Sequence, residues 1–110
     1  MEKKFKVPQS VKNVAKKALE IRQSYPPSKR GGTSVGVARA VQLRDNDYVD
    51  LETVREMFSF FSRHEIDKQS KSWKSAREKG EKSKGEQAWM LWGSDSGYAW
   101  AKKIADANRD

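Results

Sequence analysis

Leu51, Val54, Phe58 and Phe61 recur at spacings of three and four residues, the interval that stacks side chains on one face of an α-helix. Met57 lies beside that stripe. A strand would need its apolar residues at every second position, so the chain is committed to helix at its centre. Asp50 stands where an N-cap belongs, and Glu52 in the first turn complements the helix dipole. The pattern predicts a helix from Asp50 to about residue 67, through Arg63, His64, Glu65 and Ile66.

The same period appears earlier in Val11, Val14, Ala18, Ile21 and Tyr25, with Ala15 and Leu19 widening the stripe. This predicts a helix that starts at Pro8 or Ser10 and stops before Pro26-Pro27, whose rings remove amide donors and clash with the preceding turn. After the loop PPSKRGG, Thr33 or Ser34 caps a second helix carrying Val37, Ala38, Val41 and Leu43. Gly36 inside it costs about 1 kcal/mol against alanine, which calls for a conformational or close-packing reason. Arg44 to Tyr48 reads as a turn. Residues 68–85, rich in Lys, Ser and Glu, read as a long loop, a polar helix, or both in part. Glu86 to Trp92 is short and apolar. Gly93 breaks it, and Ser94, Asp95 or Ser96 caps a last helix bearing Tyr98, Trp100, Ala101, Ile104 and Ala105. No segment alternates like a hairpin strand. The expected fold is all-α, a compact bundle of about four to five short helices. Residues 1–7 are expected to form a flexible basic arm and 8–110 a single helical domain.

A chain of 110 residues suits one domain with an economical core. Four Trp, four Phe and three Tyr supply that core despite a charged fraction of 35%. There is no cysteine and one histidine, His64. Disulfides and thiolate metal sites are thereby excluded, and so is a structural zinc site within one chain. No metal or other cofactor is expected. No apolar run approaches the ~20 residues of a membrane span, and no signal peptide is visible, so no membrane partner is expected.

The net charge of +8 is banded. Residues 1–44 hold eleven Lys/Arg against two Glu, and residues 68–84 hold seven against two Glu. Between them, residues 45–67 hold two Arg against seven Asp/Glu. Two positive bands around an acidic helix suit a partner that is itself anionic, phosphate above all.

Three constellations are candidates for function. The first is Lys29-Arg30-Gly31-Gly32-Thr33, which leads into a helix. Amides at a helix start attract anions, glycine admits a phosphate to the backbone, and Lys and Arg add charge. The spacing is not that of a Walker loop, so nucleoside triphosphate binding is rejected. The plainer reading is an ordinary turn with a capping Thr. The second is Arg63, His64, Glu65 and Asp67. Adjacent helix positions face apart, so His64 and Glu65 make a poor acid–base dyad. A structural polar cluster, with Arg63 and Asp67 able to pair four residues apart, is the simpler account. The third is Trp73 among Lys68, Lys71, Lys74 and Arg77, the look of a single-strand stacking contact or an anchor for a protein partner. Trp89, Trp92 and Trp100 read as core.

RGGTSVGVARA (30–40), FSRHEIDK (61–68) and AWMLWGSDSGYAWAKK (88–103) together resemble a small module that recurs in tailed-phage genomes. There it stands alone or forms a segment of larger head-assembly or maturation-protease-like proteins. The resemblance implies a phage setting, in the host cytoplasm or the virion, and implies no particular activity.

These features together predict a phage-encoded, non-enzymatic helical protein that contacts DNA or another polyanion mainly through phosphates, with little sequence specificity. Lys12, Lys16, Lys29, Arg30 and Arg39 are the first expected contacts, followed by Lys71, Trp73, Lys74 and Arg77. The alternative is a virion, assembly or host-interaction protein that docks onto an acidic protein surface. An enzyme is disfavoured, because no paired-carboxylate, Walker or metal-ligand spacing is present.

Overall fold

The central stripe forms the helix that its spacing predicts. In the computed structural model, which describes residues 3–109, α3 (Leu51–His64) is capped by Asp50, whose carboxylate accepts the Thr53 N–H at 2.9 Å. The helix ends at His64, and residues 65–67 continue as part of a 3₁₀ turn over Glu65–Gln69. Hydrogen bonds from the Thr53 hydroxyl and amide hold the Asp50 carboxyl below its ordinary value of 3.8. Its contribution to stability is therefore complete above that ordinary value and is lost as pH falls through the lower folded one. Asp50→Ala is expected to cost about 1 kcal/mol near neutral pH, and less in strong acid. Urea titrations at the two pH values measure the difference, and an equal loss at both would show that the cap is not ionic.

The fold is all-α. Its other helices are α1 (Gln9–Ser24), α2 (Ser34–Asp45), α4 (Lys71–Glu78), α5 (Lys84–Leu91) and α6 (Ser94–Ala107). Of the loop or polar helix expected over 68–85, the structure forms a helix, α4, between the 3₁₀ turn and the start of α5. Ser70 accepts the Trp73 N–H and starts α4, which turns its one aromatic, Trp73, into the core. α1 ends before Pro26-Pro27, as the prolines require.

Strand structure is present where the sequence shows none. β1 (Lys4–Lys6) pairs antiparallel with β2 (Tyr48–Asp50), Phe5 opposite Val49, and Val7 is buried beyond it. This corrects the expected free arm over 1–7 for the residues described; Met1 and Glu2 lie outside them. Three residues are too few to show alternation, and the ladder depends on a partner more than forty residues away.

The core is built on Phe61, Leu43, Met57, Leu91, Val11 and Val54. Phe61 stacks on Tyr98 and meets the edge of Trp89, with ring centroids at 5.1 and 4.8 Å. α2 buries only part of the face expected of it: Leu43 is buried and Val37 packs partly buried against the core. Gly36, Ala40 and Leu43 point inward, Ala38 and Val41 outward. Close packing is the reason for Gly36: a Cβ there would stand 3.3 Å from the Trp92 indole nitrogen. The α5–α6 corner turns on Gly93 at φ 117°, itself the cap position of α6. Ser94, Asp95 and Ser96 supply no side-chain cap there.

Candidate functional site

Gly31 and Gly32 are explained by packing. A Cβ on Gly31 would overlap the Lys84 backbone, so only glycine lets the loop lie against the start of α5. Gly32 has φ +84°, and a Cβ there would press on Leu91 at 2.6 Å. Thr33 caps α2 by accepting the Gly36 N–H. The glycines expected to admit a phosphate are thus occupied by the protein's own α5.

Gln87 fastens this junction. It is buried, accepts the Gly31 N–H at 2.9 Å, and donates to the carbonyls of Lys29 at 3.0 Å and Lys82 at 3.2 Å. The Tyr25 hydroxyl accepts the Lys82 N–H at 2.9 Å. The two basic bands, far apart in sequence, therefore meet. Lys29, Lys82 and Lys84 surround a shallow cleft of about 280 Å³ whose far wall is Ser72 and Ala76 of α4. Lys29, Lys79 and Lys84 are exposed and make no ion pair among the described residues.

The other predicted contacts do not join this face as a set. Lys12 is held by the Asn46 carbonyl and Asp47 at the opposite end of α1. The Arg30 guanidinium donates to the carbonyls of Arg22, Gln23 and Tyr25, securing the end of α1. Arg39 lies over Trp92 and is bonded to Glu56 and Gln42. Arg77 pairs with the buried Glu86, whose carboxylate holds the guanidinium above its ordinary value. Lys16 stands exposed on α1, and Lys71 and Lys74 stand exposed on α4, none of them lining the cleft. Trp73 is the clearest correction. It is 4% exposed and packs edge-on to Trp89 at 6.4 Å, so it offers no face to a base or a partner. Its cationic neighbours in sequence mark the outer side of a helix that has turned the ring inward.

A larger groove, about 680 Å³ and open to solvent, joins two of the candidate constellations. The loop into α2 contributes Gly32 and the capping Thr33, and α2 itself the exposed Val35. α3 contributes Ser59, Phe60, Arg63 and His64, and the following turn adds Asp67. α5 contributes Lys84, Ala88 and Trp92 at its end. The floor is aromatic: Phe60 stacks on Trp92 at 4.5 Å and 10°, and the His64 ring lies 4.6 Å from Phe60. His64 Nδ1 and Asp67 are hydrogen-bonded at 3.1 Å, while Arg63 Nε donates to the Ser59 carbonyl. Glu65 turns away to Tyr98, where its hydrogen bond raises the phenol's pKa. The cluster thus makes local and interhelical bonds, and His64 pairs with Asp67 where Arg63 was the expected partner.

Sequence reasoning missed Val35, Phe60, Ala88 and Trp92 as groove residues. An apolar Val35 in the first turn of a helix was the one visible sign. Among the described residues no cluster of three His, Asp or Glu side chains could hold a metal, and no helix is long and apolar enough to cross a membrane. Compared with known proteins, the chain matches no family model, no curated protein and no solved structure.

Proposed function

We propose that this chain is a non-enzymatic helical module that binds a polyanion, nucleic acid in the first instance, through the face where the loop at 26–31 meets residues 81–85. The observation that carries the reading is the convergence of two basic bands on one cleft, with Lys29 and Lys84 in its lining, exposed and without an ion pair among the described residues, beside Lys82 and a single carboxylate, Glu81. Unpaired lysines on a surface attract phosphates without reading bases, so low sequence specificity follows. The resemblance of segments 30–40, 61–68 and 88–103 to a tailed-phage module supports a phage setting for this activity.

Fluorescence anisotropy with labelled duplex and single-stranded DNA tests the reading. With about three phosphate contacts, affinity should fall about 40-fold as salt rises from about 50 to about 200 mM. Lys29→Glu with Lys84→Glu should weaken binding at least about tenfold at the lower salt. Lys16→Glu, about 12 Å back along α1 from its end, should change it little. An equal loss from Lys16→Glu would mean a diffuse charge effect with no defined face. Absence of binding at low salt, with a nuclease-resistant complex with an acidic phage or host protein, would favour the docking alternative.

A further inference from the structure

The larger groove and the lysine cleft are neighbours. Lys84 and Gly85, at the start of α5, line both of them. A chain held in the cleft therefore has one helix end to cross before it reaches the groove.

In the groove, three rings follow one another. Trp92 stacks on Phe60 at 4.5 Å, and Phe60 meets the His64 ring at 4.6 Å and 33°. Trp92 and Phe60 are buried, at 8% and 7% exposure, and offer no face to a ligand. The His64 side chain is 45% exposed and lines the groove, so its ring is the open end of the column. Asp67 fixes the setting of that ring, its carboxylate lying 3.1 Å from Nδ1. A platform held in this way loses little freedom when a second flat group stacks on it. Val35, on the α2 side, adds exposed apolar surface.

The charged groups that line the groove are balanced in sign. Arg63 and Lys84 stand against Glu56 and Asp67, and Ser59 adds a hydroxyl. Charge therefore selects neither an anion nor a cation here. A neutral, flat molecule with donors and acceptors along its edge suits a ring platform with mixed polar sides. A nucleobase is such a molecule, and its phosphates suit the adjoining lysines.

From this arrangement we propose that the protein prefers single-stranded nucleic acid to duplex, with one base laid on His64 in the groove and a neighbouring phosphate held in the cleft by Lys29 and Lys84. This rests on the polyanion reading of the cleft and adds to it the form of nucleic acid bound. In a duplex the bases are already paired and stacked, which leaves the phosphate contacts alone. In a single strand the base faces are free, and stacking is tolerant of which base is offered.

The test compares a thymidine strand of about sixteen units, an abasic tetrahydrofuran strand of equal length, and a G·C-rich duplex of equal strand length. The full-length protein is followed by NMR through its imidazole carbon-bound protons, which need no assignment because His64 is the chain's single histidine. The thymidine strand should move these signals upfield and saturably, by the ring current of the base. The abasic strand carries the same phosphates and should leave them in place. By anisotropy at equal salt, the thymidine strand should bind at least about tenfold more tightly than the abasic strand. It should also bind more tightly than the duplex, although the duplex has twice the phosphates. His64→Ala should remove the advantage over the abasic strand, and His64→Phe, which keeps a ring, should retain most of it. A hydrogen-bonding role for His64 predicts no such rescue. Equal affinity for the thymidine and abasic strands, with unmoved imidazole signals, would overturn the base site and leave the lysine cleft standing. Duplex binding as tight as that of the strand would overturn the proposal as well. Absence of binding to any of the three at low salt would overturn both readings. Movement of the imidazole signals by the blocked peptide Gly-Phe-Gly and not by the thymidine strand would give the groove to a protein segment and refute the proposal.

Discussion

Trp73→Ala is expected to lower the unfolding free energy by about 3–5 kcal/mol, the cost of removing a large buried aromatic and leaving a cavity. The ring is 4% exposed, packs edge-on to Trp89 and lies beneath the Arg77 guanidinium at 5.9 Å. A domain of this size has a total stability of about 5–15 kcal/mol, so the variant should unfold at far lower urea, or fail to fold at physiological temperature. Trp73→Phe keeps much of the packing and should lose less. A stacking role for Trp73 predicts the reverse: unchanged stability and impaired binding to single strands. A measured loss under about 1 kcal/mol for Trp73→Ala would refute burial as its purpose.

Gln87→Leu should cost about 3 kcal/mol or more although the side-chain volume is nearly kept. The amide serves three backbone groups at once: the Gly31 N–H and the carbonyls of Lys29 and Lys82. Each group stripped of its partner while buried costs about 1–3 kcal/mol. Leucine cannot restore them, and the close seat of Gly31 on Lys84 leaves no room for the loop to settle elsewhere. Thermal and urea unfolding measure the loss, while amide exchange at Gly31 locates it. If exchange at Gly31 is as slow in the variant as in the parent, the bridge is not what holds the loop. A loosened loop should also blunt DNA binding through Lys29, which links this variant to the proposed face.

Local signals carried a good part of this structure. Asp50 and the stripe behind it, the Pro26-Pro27 stop, and the Thr33 cap all act within a few residues, so the linear order reveals them. What stayed hidden depends on distant partners. Phe60 is buried and Phe58 only partly so, because α3 packs against both α6 and the end of α5 and its buried arc is wider than one stripe. α2 turns Gly36 and Ala40 inward because Trp92 needs space that valines would fill. Trp73 among lysines has the same linear pattern whether its ring faces solvent or the core; only Trp89 decides. The glycine pair reads as a phosphate loop until Lys84 is seen against Gly31. Beyond the apolar Val35 the sequence carries no sign of the groove, since three helices from separate parts of the chain make its walls.

The bonds joining Tyr25 to Lys82 and Gly31 and Lys29 to Gln87 span 56 to 58 residues. Contacts between such remote positions must wait for a large loop to close, whereas each helix can begin forming from its own neighbours. During synthesis α1 and α2 emerge first, at about 5–20 residues per second, and Lys29 then hangs on an unanchored loop. Its counterparts in 82–87 leave the ribosome only when most of the domain has been made. The clustered lysine surface consequently has no counterpart in the growing chain and arrives with the last helices, so a nascent or truncated product carries the charge without the arrangement.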